Sequence, residues 1–304
     1  MKIGLHLPQV GPFSRADVLI PFAQLAERLS FSSLWVSDHV VMAREQRSRY
    51  PYSPDGKLHF PIDSDFLEPL TALTFLAGAT ARIQLGTTVL VLPMRQPVLH
   101  AKIIATLDHL AGARFIFGVG AGWWKEEFEV LGASFERRGK RFDEQLELMI
   151  RLWSGEVVDF KGAFYSVDGW ISRPVPGQRP HPPIWVGGEN ERSLRRAGRY
   201  GDAWHATAQP AQQLHDRMEI VRQAARDAGR DPKVVELTMR TAVTFTEDNL
   251  EQSAQRLQEI AALGVTHAIV QVHPRAIAGA HDILSSFAEK YLPVFRTLSA
   301  GMPS

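Results

Sequence analysis

The sequence predicts an α/β protein that forms a single (β/α)8 barrel, with long loops at the carboxyl ends of its strands. Short β-rich runs alternate with helical runs along the whole chain, and several of the strand runs are apolar at every position. Such runs are typical of parallel strands that are covered on both faces. The 304 residues also suit one barrel of this kind, which typically needs about 250. A doubly wound open sheet is the competing arrangement.

Eight runs rich in β-branched and aromatic residues predict the barrel strands. In chain order they are 3–7, 34–37, 83–92, 115–119, 184–186, 203–205, 237–245 and 268–272. Helical periodicity fills the intervals between them. Apolar residues recur every three or four positions from Phe142 to Trp153, and the same spacing returns from Leu250 to Ala261. Each of these two segments therefore predicts a helix with one apolar face.

Two connections break the alternation, and we expect both to be loops inserted into one domain that spans residues 1–304. The first, at about 38–66, contains three prolines and the turn pair Asp55-Gly56. The second, at about 156–183, contains two further turn pairs and five prolines. Loops of this length in a compact domain usually cover or form binding sites.

Composition and charge exclude several classes of function. The 34 basic and 33 acidic residues give a net charge of +1, so no nucleic-acid or anionic-membrane partner is expected. The chain has no cysteine, and its eleven histidines form no His-x-His or His-Glu-x-x-His pattern, so no metal site is expected. No run of 18 apolar residues occurs. Because a strand-like run begins directly after Met1, no signal peptide is predicted, and we expect a cytoplasmic protein.

A glycine-rich segment follows the fourth predicted strand. Gly118, Gly120 and Gly122 alternate there and are followed by Trp123 and Trp124. The segment does not match the dinucleotide-binding fingerprint, because Trp123 stands where the third glycine is needed. It is either a tight exit from the strand or a place where a flat ligand lies against the backbone, at the barrel end where active sites gather. Two adjacent tryptophans favour the ligand, since large aromatic side chains are costly to expose.

Paired glycines precede the predicted helical run from Arg192 to Arg199. Gly187 and Gly188 would place free N–H groups and the positive end of the helix dipole at one point, which suits a phosphate. A glycine turn with Asn190 as an ordinary helix cap is an equally good interpretation.

An aspartate and a histidine end the second predicted strand, as Asp38-His39. Histidine titrates near neutrality and can deliver a proton, and the carboxyl end of a barrel strand is where such a group would act. A histidine with a purely structural role at the start of a loop is the commoner case.

These segments together resemble the bacterial luciferase-like superfamily, and the resemblance covers nearly the whole chain. It is carried by residues 86–97, 105–110, 118–123, 126–128, 187–188 and 200–204. Within the superfamily, Asp38-His39-Val40-Val41 and the later segment 50–56 look most like the branch that uses the deazaflavin coenzyme F420. The other branches use FMN.

The resemblance implies a cofactor at the carboxyl end of the barrel, with its ring against the third and fourth strands and its phosphodiester on the paired glycines. The implied cofactor-binding residues are Asp38, Thr88, Val89, Val91, Gly120, Ala121, Gly122, Glu126, Gly187, Gly188, Glu189 and Asn190. The implied catalytic residues are His39, which would give or take a proton, and Asp38 beside it. Trp123 and Trp124 would hold the substrate over the ring.

One feature of the backbone is also implied by the resemblance. In the family the third strand ends in a bulge with a cis peptide bond that does not involve proline. The matching residues predict that bond between Thr88 and Val89, and the pair Thr87-Thr88 is the alternative.

On this basis we expect an F420-dependent oxidoreductase that transfers a hydride between the deazaflavin and a small, partly apolar organic substrate. Related sugar-phosphate dehydrogenases have a glutamate where this chain has Trp123, so oxidation of a sugar phosphate is not expected. Two alternatives stay open: an FMN-dependent luciferase-like monooxygenase that receives reduced flavin from a partner reductase, and a flavin-binding protein without catalysis. Because the superfamily commonly forms dimers, a homodimer is expected.

Overall fold

The computed structural model describes residues 1–58 and 61–300, and its described strands form the predicted closed barrel. Residues 59 and 60 of the first predicted insertion, and the last four residues of the predicted domain, lie outside the described residues. The strands are β1 (Lys2–His6), β2 (Ser33–Val36), β3 (Gln84–Thr87), β4 (Leu90–Val91), β5 (Phe115–Gly120), β6 (Val158–Lys161), β7 (Ser166–Trp170), β8 (Ile184–Gly187), β9 (Ala203–Thr207), β10 (Glu236–Phe245) and β11 (His267–Val272).

Hydrogen-bonded neighbours follow one another around the barrel in the order β3, β2, β1, β11, β10, β9, β8, β5 and β4. The ring closes because β3 also pairs with β5, and every pairing within it is parallel. The two short strands β3 and β4 together make the third side of the barrel. The peptide bond between Thr88 and Val89, which separates them, is cis, as the family resemblance implies.

Helices surround the barrel. They are α1 (Ala16–Arg28), α2 (Pro69–Ala77), α3 (Pro97–Leu110), α4 (Lys125–Val130), α5 (Arg138–Trp153), α6 (Glu191–Tyr200), α7 (Ala211–Asp227), α8 (Leu250–Ala262), α9 (Ala280–Lys290) and α10 (Leu292–Ala300). The predicted amphipathic segments are α5 and α8, whose apolar faces are buried against the sheet. Within the described ranges, no helix combines the length and the apolar composition needed to cross a membrane.

Aromatic side chains fill the interior of the barrel. Trp35 of β2 and Trp185 of β8 stack with their ring centroids 4.7 Å apart, and both are buried. The rings of His205 and His267 pack against them from β9 and β11. The interior is therefore a packed core, and the open end of the molecule is the mouth, formed by the carboxyl ends of the strands and the loops that follow them.

The second insertion differs from the predicted irregular loop, because it contains the antiparallel hairpin of β6 and β7. The carboxylate of Glu144 on α5 accepts hydrogen bonds from the backbone N–H groups of Ala163, Phe164 and Tyr165 in the turn of this hairpin. The predicted turn pair Lys161-Gly162 lies where β6 ends and the bend of the hairpin begins, but the predicted turn at Asp168-Gly169 is wrong, because both residues lie within β7. The two strands are too short and too polar to be recognised in the sequence.

Close contact between β3 and β5 depends on Gly118. A Cβ atom at this position would lie 1.7 Å from the carbonyl oxygen of Thr87, and a backbone atom cannot move aside as a flexible side chain can. We expect Gly118→Ala to lower the free energy of unfolding by at least about 2 kcal/mol, measured by urea denaturation.

The matched control is Gly78→Ala at the end of α2, where the nearest atom to an added Cβ would be 3.6 Å away. Its backbone is helical, so alanine should leave stability unchanged or raise it slightly. Equal stabilities of the two variants would contradict the close approach of β3 and β5.

Candidate active site at the mouth of the barrel

A histidine and a glutamate meet at the centre of the mouth. His39 follows β2, and its Nδ1 lies 2.9 Å from Oε2 of Glu127 on α4. The second carboxylate oxygen accepts hydrogen bonds from the N–H groups of Val40, at 2.5 Å, and Val41, at 3.4 Å. Because a carboxylate only accepts, the proton of the neutral imidazole is on Nδ1. Nε2 of His39 then has no protein partner among the described residues and is available for proton transfer.

Aromatic rings surround His39. Trp123 and Trp124 stack with their centroids 5.2 Å apart, and both meet the imidazole edge-on, at 6.1 Å and 5.4 Å. Phe66 contacts the imidazole from the first insertion, and Tyr50 of the same insertion packs against Trp123 at 5.0 Å. The structure therefore brings the predicted residues His39, Trp123 and Trp124 together in one apolar setting.

Asp38 is held away from solvent by an arginine. Its two carboxylate oxygens each accept a hydrogen bond of 2.7 Å from the guanidinium of Arg95, and one of them also accepts from the N–H of Val91 at 2.7 Å. Burial raises the pKa of the Asp38 carboxyl, and the bonds from Arg95 and Val91 oppose that shift. Asp38 therefore joins the exit of β2 to the start of the turn after β4.

Two further predicted residues line the same side of the mouth. The hydroxyl of Thr88 is 2.9 Å from Nε2 of His205, deep in the barrel. The side chain of Val89 lies over β5, where a Cβ atom on Gly120 would come within 2.6 Å of it. Packing of Val89 accounts for the glycine at position 120. Ala121 and Gly122 follow β5 and are partly exposed at the mouth.

The paired glycines lead into α6 as predicted, and Asn190 caps this helix by accepting a hydrogen bond from the N–H of Ser193 at 3.0 Å. Gly187 is the last residue of β8. Gly188 has φ +116°, and a Cβ there would lie 2.6 Å from the hydroxyl of Ser193. Glycine is therefore required by the fold itself, and the first N–H groups of α6 have no acceptor within the helix.

The Glu189 carboxylate is fully engaged beside this turn. It accepts hydrogen bonds from Thr207, at its N–H and hydroxyl, from Gln209, and from Arg217 at 3.0 Å. The ion pair with Arg217 neutralises the negative charge of Glu189 next to the start of α6.

Glu126 holds the first insertion in place, and its side-chain hydrogen bonds to described residues go to that insertion and not to His39. Its carboxylate accepts hydrogen bonds from the N–H groups of Arg47, at 2.5 Å, and Ser48, at 2.9 Å, and from the Ser48 hydroxyl. Partial burial opposes ionisation, but the bonds from Ser48 and Arg47 outweigh it and lower the pKa of this carboxyl to about 2.

Two neutral histidines and an arginine form the floor of the mouth. Arg240 of β10 donates through Nη1 to the Ser37 hydroxyl at 2.9 Å and to the Thr88 carbonyl at 3.3 Å. The Ser37 hydroxyl in turn contacts Nε2 of His6 at 2.8 Å. Burial and the charge of Arg240 lower the pKa of His6 to about 3, and they do the same for His205. The arginine is the charged member of this group at neutral pH.

Several of these residues were not among those predicted from the sequence, namely Glu127, Arg95, Arg240, His6 and His205. Glu127 and Arg95 lie inside segments that carry the family resemblance, so only their roles were missed. Arg240 occurs in an otherwise apolar and threonine-rich strand, and a charged residue in a buried strand was the available signal. Among the described residues, no three histidine or carboxylate side chains are arranged to hold a metal ion.

The family model described as luciferase-like monooxygenase matches residues 4–293. The chain belongs to this family. An uncharacterised protein of Mycobacterium tuberculosis is 34% identical over 251 residues, which are 83% of each chain. The phthiodiolone/phenolphthiodiolone dimycocerosates ketoreductase of Mycobacterium kansasii is 31% identical over 268 residues, which cover 83% of this chain and 72% of the ketoreductase.

Solved structures of two other proteins show the same luciferase-like fold with different cofactors. An F420-dependent secondary alcohol dehydrogenase, in complex with an F420-acetone adduct, has a TM-score of 0.78 at 20% identity, covering 97% of this chain and 99% of that one. The oxygenating constituent of 3,6-diketocamphane monooxygenase of Pseudomonas putida, in complex with FMN, has a TM-score of 0.72 at 15% identity, covering 96% and 98%. At these identities the similarity establishes the fold alone.

Acid should destabilise the protein through its buried histidines. The pKa of His205 is about 3 in the folded protein, but about 6.5 in the unfolded chain. Between these two pH values the unfolded chain binds a proton that the folded protein does not, and this favours unfolding. The contribution of neutral His205 to stability is complete above about pH 6.5 and is lost as the pH falls towards 3. We expect His205→Gln to reduce the slope of unfolding free energy against pH, between about pH 5.5 and 4, by about 1.4 kcal/mol per pH unit.

The measurement is urea denaturation at several pH values. His215→Gln is the control, because this ring is exposed to water in the folded protein. The slope of the control should match that of the wild type. A slope for His205→Gln that also equals the wild-type slope would mean that the buried ring is not kept neutral.

Proposed function

We propose that this luciferase-like enzyme is an F420-dependent oxidoreductase that transfers a hydride between the deazaflavin and a small, partly apolar organic substrate. The observation that carries the proposal is the orientation of His39. Glu127 holds its Nδ1–H, its Nε2 has no partner among the described residues, and the imidazole packs against the rings of Trp123 and Trp124. This arrangement suits the proton transfer that accompanies movement of a hydride to or from a carbon–oxygen bond.

The residues at the mouth fit a flavin-like cofactor. Nε1 of Trp124 is buried and has no hydrogen-bond partner among the described residues, so a polar acceptor of a bound ligand would satisfy it. At the start of α6, the N–H groups of Glu191 and Arg192 donate to no described residue and are available to a phosphate, beside the neutralised Glu189. We assign ring contacts to the segment of Thr88, Val89 and Val91 and to the exit of β5 at Gly120–Gly122. Asp38 supports the ring site from behind through Val91.

When bound, the cofactor would supply the hydride chemistry. The chain supplies orientation and proton transfer. Glu127 sets the tautomer of His39 and stabilises the imidazolium that forms when Nε2 accepts a proton. Trp123 is partly exposed and offers the substrate an apolar surface, while the first insertion, held by Glu126 and Glu127, shields the site from water.

An FMN-dependent monooxygenase supplied with reduced flavin by a partner reductase is the second candidate, favoured by the fold shared with the FMN-bound camphane enzyme. Native mass spectrometry of the protein with each cofactor separates the two. We expect stoichiometric binding of F420. Stoichiometric binding of FMN without binding of F420 would overturn the proposal in favour of the monooxygenase.

Substitution of the histidine and its partner should affect turnover in different ways. We expect His39→Gln to lower kcat by at least about 100-fold with the cofactor Kd within a few-fold, because the proton-transfer group is lost. Glu127→Gln keeps an acceptor for Nδ1–H of His39 but removes the negative charge that would stabilise the imidazolium, so kcat should fall by about tenfold or more with the cofactor Kd within a few-fold.

The control is Glu129→Gln on the same helix, whose carboxylate is half-exposed and pairs only with surface cations. Its kcat and its cofactor Kd should match those of the wild type. Retention of full turnover by His39→Gln would assign this histidine a structural role.

A further inference from the structure

Arg240 is a cation without a carboxylate partner among the described residues. The carboxylates around the mouth are already engaged: Asp38 with Arg95, Glu127 with His39, and Glu189 with Arg217. Glu126 is saturated by the backbone and hydroxyl of the first insertion. The positive charge on the floor of the mouth is therefore not compensated within the part of the chain that the structure describes.

The hydrogen bonds of the Arg240 guanidinium to the protein come from one of its nitrogen atoms. Nη1 of Arg240 makes both hydrogen bonds to the protein, to the Ser37 hydroxyl and to the Thr88 carbonyl. Nε and Nη2 donate to no described residue. These two N–H groups form the parallel fork that matches the two oxygens of a carboxylate.

The ionisable side chains His6, His205 and Tyr50 near Arg240 are uncharged at neutral pH, so they do not balance its charge. His6 and His205 are neutral, each held by hydroxyl groups and with a pKa lowered to about 3. Burial also raises the pKa of Tyr50, so its hydroxyl supplies no negative charge at neutral pH. A charge taken out of water is costly unless it is paired, which favours a ligand that brings the missing negative charge.

Arg240 and His39 are linked by a short series of neighbouring residues at the mouth. The hydroxyl that Arg240 binds is on Ser37, two residues before His39 on the same strand exit. Tyr50, whose side chain interacts electrostatically with Arg240, packs on Trp123, and Trp123 contacts the imidazole. A ligand held at Arg240 would therefore lie next to the group of side chains that contains Tyr50, Trp123 and His39.

We propose that Arg240 binds the carboxylate of the substrate, so that the substrate is an organic acid with an apolar part that lies against Trp123. This inference rests on the proposed function of the same site and narrows its substrate class. An anionic edge of the cofactor ring could pair with Arg240 in the same way as a substrate carboxylate. The experiment must therefore distinguish a substrate carboxylate from the cofactor ring as the partner of Arg240.

The test compares phenylacetate with phenylacetamide, a neutral probe of nearly equal shape, by calorimetric titration of the cofactor-free protein and of the F420 complex. Removal of one charged hydrogen-bonded partner corresponds to about a 10- to 100-fold change in affinity. We expect the wild type to prefer phenylacetate by at least about tenfold. Arg240→Met should abolish the preference and leave the Kd of F420 within about threefold.

Arg275→Met is the control, because this arginine is exposed after β11. It should keep the wild-type preference. Arg240→Lys retains the positive charge but loses the paired N–H groups that bind both oxygens of a carboxylate. We expect its preference for phenylacetate to lie between those of the wild type and Arg240→Met, and this variant keeps the test available if Arg240→Met does not fold.

Two results would overturn the inference. One is an equal affinity of the wild type for the acid and the amide. The other is weakened F420 binding by the Arg240 variants with the preference for phenylacetate intact, which would assign the guanidinium to the cofactor. Failure of the proposed function would be seen differently, because the wild type would then not bind F420. The preference of the cofactor-free protein for phenylacetate does not depend on F420 binding, so it tests the role of Arg240 separately.

Discussion

Two adjacent carboxylates at the start of α4 hold the first insertion across the mouth of the barrel. Glu127 binds the end of the insertion that leaves β2, through the ring of His39 and the N–H of Val40. Glu126 binds the insertion some eight residues later, at Arg47 and Ser48. A segment with almost no secondary structure of its own thereby acquires a defined path, because its backbone donors are satisfied by charged acceptors on a rigid element.

The position of α4 is itself a consequence of the barrel. The glycines of β5 permit close contact with β3 and with the side chain of Val89, so the strand can run to the mouth and end in the stacked tryptophans. Next to β5 in the barrel, Asp38 and Arg95 join the exits of β2 and β4 through a buried ion pair. Loss of one partner of such a pair would leave an uncompensated buried charge, which is why pairs of this kind fix local geometry strongly.

Stacked aromatic rings and neutral histidines close the floor of the mouth, and this packing determines which side chains there carry a charge. Water is displaced, so burial keeps His6 and His205 uncharged and leaves Arg240 as the cation that faces the site. The same enclosure strengthens every interaction between that cation and an anion that enters. The proposed proton transfer at His39 and the proposed anion binding at Arg240 would thus both depend on one packed interior.

The sequence by itself determined the barrel, since the alternation of strand and helix patterns is local and each run shows its own periodicity. It also identified the segments that reach the mouth, including the exits of β2 and β5 and the paired glycines before α6. The hairpin of β6 and β7 escaped prediction because its short polar strands depend on Glu144 for support. Only the tertiary structure decided which side chains meet: Glu127 and His39 are 88 residues apart, Asp38 and Arg95 are 57 apart, and Arg240 and Ser37 are 203 apart. Charge pairing and burial are properties of such distant neighbours, and closure of the barrel is what brings them together.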